Sequence, residues 1–390
     1  ATLTALASYW RQPVDHIELA HSICYDGTPA HEERHWAEEH GFDAREFRVT
    51  WDNARQLIDR GVPFTLTTIG PQMGHLQPVI GYDSRRGVLL VRDPGERHHM
   101  EYRGQELLDH YSTTGPRGMT LVPISETHRL AGLELEDTAF YDWMHQLHRA
   151  LHKHDRQAAA DCLQQLESLD PDHRLTLHAR ASLAFYDQDR VRQLRAVEAL
   201  AERFPKDVNQ QLVRLSLLRE LGRRADYLEQ LQKLCEDSES LPIYWRMLAG
   251  ELLDDQRKLP EVERWLHRLL REQQSPEDLR LASRYYWRMN QRALAVQVMR
   301  FAALSEHLDE SMAADYFSLA RANGETESGL AFLRQRHETL GRQSAGPTYN
   351  YVAALEACDQ HAVANQALSE SLTWRPDDGD AKLNAAQFYM

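Results

Sequence analysis

The feature that most constrains this chain is a recurrence of helix-ending steps through its last two-thirds. They fall at Asp170-Pro171, Phe204-Pro205, Leu241-Pro242, Ser275-Pro276, Asp309-Glu310, Gly346-Pro347 and Arg375-Pro376, spaced by 34, 37, 34, 34, 37 and 29 residues. Proline offers no N–H to a helix interior and clashes with the preceding turn, so such steps separate helices. Amphipathic segments of 12 to 17 residues run between them, two to an interval, with no convincing strand from about residue 138 to 390. A two-helix unit cannot bury its apolar face alone, so the pattern predicts stacked hairpins. Six hairpins and a final lone helix are expected after residue 170.

The unit from Gly346 to Pro376 has the clearest packing positions: Tyr351, Leu355, Ala364 and Leu368, with Pro376 closing the second helix. A two-helix unit near 34 residues resembles the tetratricopeptide repeat, here in degenerate form. The other units lack the small residues usual at the inter-helix contact, so a generic helical-hairpin solenoid is the alternative. A tetratricopeptide-like array implies a right-handed superhelix with a concave groove. Such a groove recruits a peptide or protein partner, although such repeats also serve as spacers or dimer surfaces.

Residues 1–125 have a different character. Helical periodicity predicts helices over 1–10, 15–23, 30–40, 52–60 and 104–111, and strands over 47–50, 62–69, 76–82, 88–91 and 119–122. Helices precede most strands, which predicts an α+β domain with helices beside a largely antiparallel sheet. Ser84-Arg85-Arg86-Gly87 reads as a hairpin turn. Residues 126–137, ending in the acidic Leu133–Asp137, read as a linker into an all-α array over 138–390.

Composition excludes several functions. The 390 residues carry 45 Lys+Arg against 59 Asp+Glu, a net charge of −14, which disfavours nucleic acid as a partner. No apolar run approaches the roughly 20 residues of a membrane span. The four cysteines, at 24, 162, 235 and 358, are too scattered for a disulfide framework or a zinc ribbon. They suit a reducing, cytoplasmic setting.

Twenty histidines make metal binding worth weighing. His31-Glu32-Glu33-Arg34-His35 matches His-Glu-x-x-His, where two histidines one helical turn apart grip zinc and the glutamate activates water. The charged Glu33 and Arg34 at the variable positions, and Gly41 where the extended motif needs a third histidine, point instead to a solvated helix with Trp36 and Ala37 inward. His40 is one residue short of that place. An exposed helix without a third ligand, and no metal or organic cofactor, is expected. Cys24 follows the helical segment 15–23, at the wrong pole of its dipole for thiolate activation, and reads as a small buried or structural thiol.

His75 opens one strand of the predicted hairpin, and Asp93 follows the other. The far ends of a hairpin are adjacent, so the two side chains can meet. On spacing alone they are either a surface histidine near a strand-ending aspartate or the general base and orienting acid of a Cys–His–Asp system.

Ala1-Thr2-Leu3-Thr4-Ala5-Leu6-Ala7 resembles the helix that follows Cys-x-Pro-Ala in the bacteriocin-processing cysteine peptidases, which trim double-glycine leader peptides. In that family a histidine opens a strand ending in a Gly-Tyr-Asp-like turn, and an aspartate sits in an Asp-Pro pair on the next strand. Here these are His75, Gly81-Tyr82-Asp83 and Asp93-Pro94. The resemblance spans residues 1 to about 123. It implies a papain-like fold, with His75 and Asp93 catalytic and a peptide or protein as substrate. It also implies a nucleophilic cysteine three residues before Ala1, with the oxyanion glutamine further upstream. The chain is then expected to be truncated within a helix at each end, and inactive as it stands. A non-enzymatic adaptor, joining a peptidase-like binding module to protein-binding repeats, is the alternative.

Overall fold

The structure is a computed structural model, and it describes residues 1–24, 27–70, 73–306 and 308–389. The chain forms two compact units, Ala1–Arg224 and Ala225–Met390.

The first unit opens with three helices, α1 (Thr2–Tyr9), α2 (His16–Ile23) and α3 (Ala30–Glu39). Asp15 caps α2 by accepting the N–H groups of Ile17 and Glu18. Then come β1 (Phe42–Asp43), β2 (Glu46–Arg48), α4 (Trp51–Asp59), β3 (Phe64–Gly70), β4 (Met73–Asp83), β5 (Val88–Val91) and β6 (Met100–Arg103). They are followed by α5 (Gly104–His110), β7 (Arg117–Thr120) and β8 (Val122–Pro123). Reciprocal hydrogen bonds between Thr50 and Asn53 start α4 at the expected place. Six strands make an antiparallel sheet in the order β2-β7-β3-β4-β5-β6, and β1 pairs with β8. The short β1 and β6 were not among the expected strands, and the expected strand over 119–122 is divided between β7 and β8. β6 alternates half-buried and exposed residues, too weak a pattern to stand out in sequence.

Two apolar clusters hold this region together. Leu3, Leu6, Leu19, Trp36, Phe42 and Met119 join the first three helices to β1 and β7. Phe47, Leu57, Phe64, Leu66, Val79 and Leu89 form the second, among β2, β3, β4, β5 and α4. β7 passes close to its neighbours at Gly118, where a Cβ would stand 2.6 Å from the Phe47 ring. Residues 126–137 lie against this region: Leu130 is buried, and Arg48 pairs with Glu136 and Asp137.

From residue 138 onward the described residues are helical. The first unit continues with α6 (Thr138–His152), α7 (Arg156–Leu169), α8 (Arg174–Tyr186), α9 (Arg190–Arg203) and α10 (Val208–Glu220). The second contains all but the first residue of α11 (Arg224–Glu236), then α12 (Pro242–Leu252), α13 (Leu259–Glu272), α14 (Pro276–Arg288) and α15 (Arg292–Ser305). It ends with α16 (Glu310–Ala322), α17 (Thr326–Leu340), α18 (Gly346–Glu356), α19 (His361–Trp374) and α20 (Gly379–Tyr389). After residue 170 the order is thus six two-helix segments and one last helix, as the break spacing predicts. The expected last residue of that helix, Met390, lies outside the described residues.

The prolines act at helix boundaries. Pro242 and Pro276 are first residues of helices and Pro347 a second residue, where a missing N–H costs nothing. Pro171, Pro205 and Pro376 each follow a C-cap residue. The turn within each segment repeats as well. Residues with positive φ stand at His154, Gln188, Gly222, Asn290, Gly324 and Asp359, which are 34, 34, 68, 34 and 35 residues apart. In the gap, a 3-10 turn over Gln256–Lys258 serves instead.

This two-helix plan with a 34-residue repeat is that of tetratricopeptide repeats. Small residues at the contacts are commoner than expected, since Ala302, Ala303, Ala313 and Ala320 are buried in one cluster with Met299 and Tyr316. Successive segments are also tied by charge: the fully buried Asp278 of α14 accepts from Arg246 of α12 at 2.6 Å. The fold is therefore an α+β region followed by an all-α repeat array.

Candidate active site

Sheet register builds the site. β4 and β5 pair Asp83 with Val88, Tyr82 with Leu89 and Gly81 with Leu90, then shift so that Val79 faces Val91. Ile80 is the extra residue, a β-bulge. The Arg92 N–H donates to the Pro78 carbonyl, continuing the shifted register. Asp93 then falls opposite Gln77, two residues from His75 and on its face. Without the bulge Asp93 would face Pro78 and point to the other side of the sheet.

The imidazole Nε2 of His75 lies 2.7 Å from Asp93 Oδ2. The other carboxylate oxygen accepts the Gly95 N–H at 2.8 Å. The His75 bond, with help from the Gly95 N–H, holds the Asp93 carboxyl below the usual range despite partial burial. An ionised Asp93 accepts a proton held on Nε2, which leaves the Nδ1 lone pair free to act as a base. The His75 side chain is 48% exposed.

The start of α1 lies beside this pair. Thr2 Oγ1 donates to the Leu76 carbonyl, the residue after His75, at 2.9 Å. The first turn of α1 therefore brings its unpaired N–H groups and positive dipole end to the histidine's strand.

Cys24 is the C-cap of α2, and its sulfur lies 3.0 Å from Thr28 Oγ1. Its bonded partner is Thr28, not His75, and the residue is exposed rather than buried.

The helix bearing His31 and His35 departs from expectation. It is partly covered, because α6 lies alongside α3 and supplies partners for its charged residues. Glu33 is buried, and its Oε2 accepts from Arg117 Nη1 at 2.8 Å; Arg117 Nε also donates to the buried Glu46 at 2.5 Å. Burial opposes the Arg117 charge, but Glu46 and Glu33 outweigh it and raise its pKa. Arg34 pairs with Asp142 of α6 at 2.8 Å.

The two motif histidines are used separately. His35 Nε2 lies 3.0 Å from Glu39, and His40 bonds the Trp36 carbonyl. His31 joins Glu32 and His152, so the expected absence of a third nearby ligand does not hold there. Burial, the largest influence, lowers the His31 pKa, and it draws the nearby His148 down to about 4.

Residues 1–119 match the Peptidase_C39 like family. No curated protein matches the chain. Among solved structures, a tetratricopeptide repeat protein from Parabacteroides merdae is similar over 63% of this chain and 97% of its own, at 12% identity and a TM-score of 0.42. The C-terminal part of a TPR repeat-containing protein from Cytophaga hutchinsonii is similar over 62% of this chain and 98% of its own, at 10% identity and a TM-score of 0.43. The family match over residues 1–119 and the helices from residue 138 onward make the chain a peptidase-like module followed by a helical repeat array.

Proposed function

We propose that the peptidase-like module is a hydrolase of the Cys–His–Asp type and that the repeats recruit its peptide or protein substrate, or a partner protein. His75 is the general base and Asp93 its orienting acid. The nucleophile is a cysteine preceding Ala1, placed at the start of α1, where the helix dipole favours a thiolate. The carrying observation is the 2.7 Å His75–Asp93 bond beside the first turn of that helix.

In this reading Nδ1 of His75 takes the thiol proton. The thiolate attacks the scissile carbonyl carbon, and the imidazolium returns the proton to the departing amine. Water, deprotonated by the same imidazole, then cleaves the thioester and frees the thiol. The four free cysteines suit a reducing compartment such as the cytoplasm. Among the described residues no helix is long and apolar enough to cross a membrane.

The test uses a longer chain that includes the residues before Ala1. Its additional thiol should alkylate faster than the other four, and His75→Ala should slow it by about 10²–10⁴-fold, the usual worth of a general base. The 390-residue chain should cleave no peptide. A rate indifferent to His75, or no cysteine at that place, would favour the adaptor reading.

A further inference from the structure

A second cluster of chemically capable side chains lies within the first unit, where α3 meets α6. Glu32 Oε1 is 3.3 Å from His31 Nε2 and 2.8 Å from His152 Nδ1. One ligand atom from each residue lies within 4.8 Å of the other two. The cluster lines a cleft of about 600 Å³ that also receives Cys24, His148 and His154.

The donor set decides which ligand fits. A tetrahedral zinc ion, with bonds of about 2.0–2.2 Å to nitrogen and oxygen, needs neighbouring ligand atoms roughly 3.3 Å apart. The His31–Glu32 separation of 3.3 Å already matches that figure, and the Glu32–His152 separation of 2.8 Å would have to open by about half an ångström. Two imidazoles and one carboxylate favour zinc and its borderline neighbours over magnesium or calcium, which prefer all-oxygen shells. His31 and Glu32 are half-buried, while His152 approaches from the end of α6 with its side chain 65% exposed. An ion there would be reachable from solvent and would keep a fourth position for water.

We propose that His31, Glu32 and His152 form a zinc-binding site that joins α3 of the peptidase-like region to α6, the first repeat helix. The ligand set is not that of the His-Glu-x-x-His pattern. His35, the second motif histidine, is occupied with Glu39, and His152, 121 residues after His31, replaces it. The ion clasps two segments that the chain joins only through a long connection, so binding adds to the stability of the first unit by mass action. The site is independent of His75 and Asp93.

The test is zinc titration of the metal-free 390-residue chain by calorimetry against a chelator of known affinity, with folding checked by circular dichroism. One equivalent should bind. His31→Gln and His152→Gln should each weaken it by at least about 10-fold, since even outer-shell changes cost that much at metal sites. His35→Gln should bind as the wild type does. Zinc should raise the melting temperature of the wild type but not of His152→Gln, whose exposed position leaves the fold intact. If zinc fails to bind at one equivalent, or His152→Gln binds normally, Glu32 merely bridges two imidazoles by hydrogen bonds and the proposal falls. Loss of binding in His35→Gln would overturn it in favour of the linear motif.

Discussion

His75 and Asp93 meet because Ile80 is one residue too many for its partner strand. The turn register pairs Asp83 with Val88, and an unbroken ladder from there would set Asp93 opposite Pro78. The bulge moves it opposite Gln77 and onto the face of His75. It also keeps Val79 and Tyr82, three residues apart, both packed on the core cluster.

Deleting Ile80 should therefore be tolerated. The shortened β4 would continue from Gly81–Leu90 directly to Val79–Val91 with regular alternation, and Ile80 is itself exposed. In the longer chain, the His75-dependent thiol reactivity should survive this deletion. Deleting Arg92 should abolish it, because Asp93 would move opposite Pro78. Equal damage from both deletions would refute the register argument.

Asp93 should contribute stability with a defined pH dependence. Its folded pKa lies below the unfolded value, near 3.9 for aspartate, chiefly through the His75 bond. The contribution is then complete above the unfolded pKa and is lost as pH falls through the folded one. Urea unfolding of the wild type and Asp93→Asn should give a stability gap that is open at pH 6 and closes towards pH 3. A gap that widens on acidification would contradict this.

Arg117 should be among the costliest residues to truncate. Arg117→Ala leaves the buried Glu33 and Glu46 without their shared cation, a change worth about 3–5 kcal/mol in buried pairs. Replacing all three together, with Glu33→Leu, Glu46→Leu and Arg117→Met, should recover much of the loss because the three buried charges leave together, while Arg34 keeps Glu38 and Asp142. Denaturant midpoints of the two variants settle the comparison.

The native thiols should react in an order set by exposure. Cys24 is exposed, whereas Cys235 is buried and its pKa is pushed up to about 12 by desolvation. A thiol reagent should label Cys24 promptly and reach Cys235 only after unfolding, as peptide mapping by mass spectrometry would show. Labelling of native Cys235 at the Cys24 rate would mean that this part of the repeat array opens readily.

The sequence alone determined the repeat array and the hairpin that carries His75. Both are encoded locally: prolines end helices within a few residues, apolar positions recur at the helical period, and a turn between two β-branched runs brings their far ends together. Only the tertiary structure decided what depends on distant partners. The bulge at Ile80 is invisible in sequence because an exposed isoleucine looks like any other strand residue. Glu33 and Arg34 read as solvated because charge ordinarily marks the water-facing side, yet Arg117 and Asp142 stand 84 and 108 residues away to pair with them. In the same way a short His-Glu-x-x-His run suggested His35 as the partner of His31, and the packing of α6 supplied His152 instead. Periodicity reports which face is polar; whether that face meets water or another charged surface is settled only when the chain closes on itself.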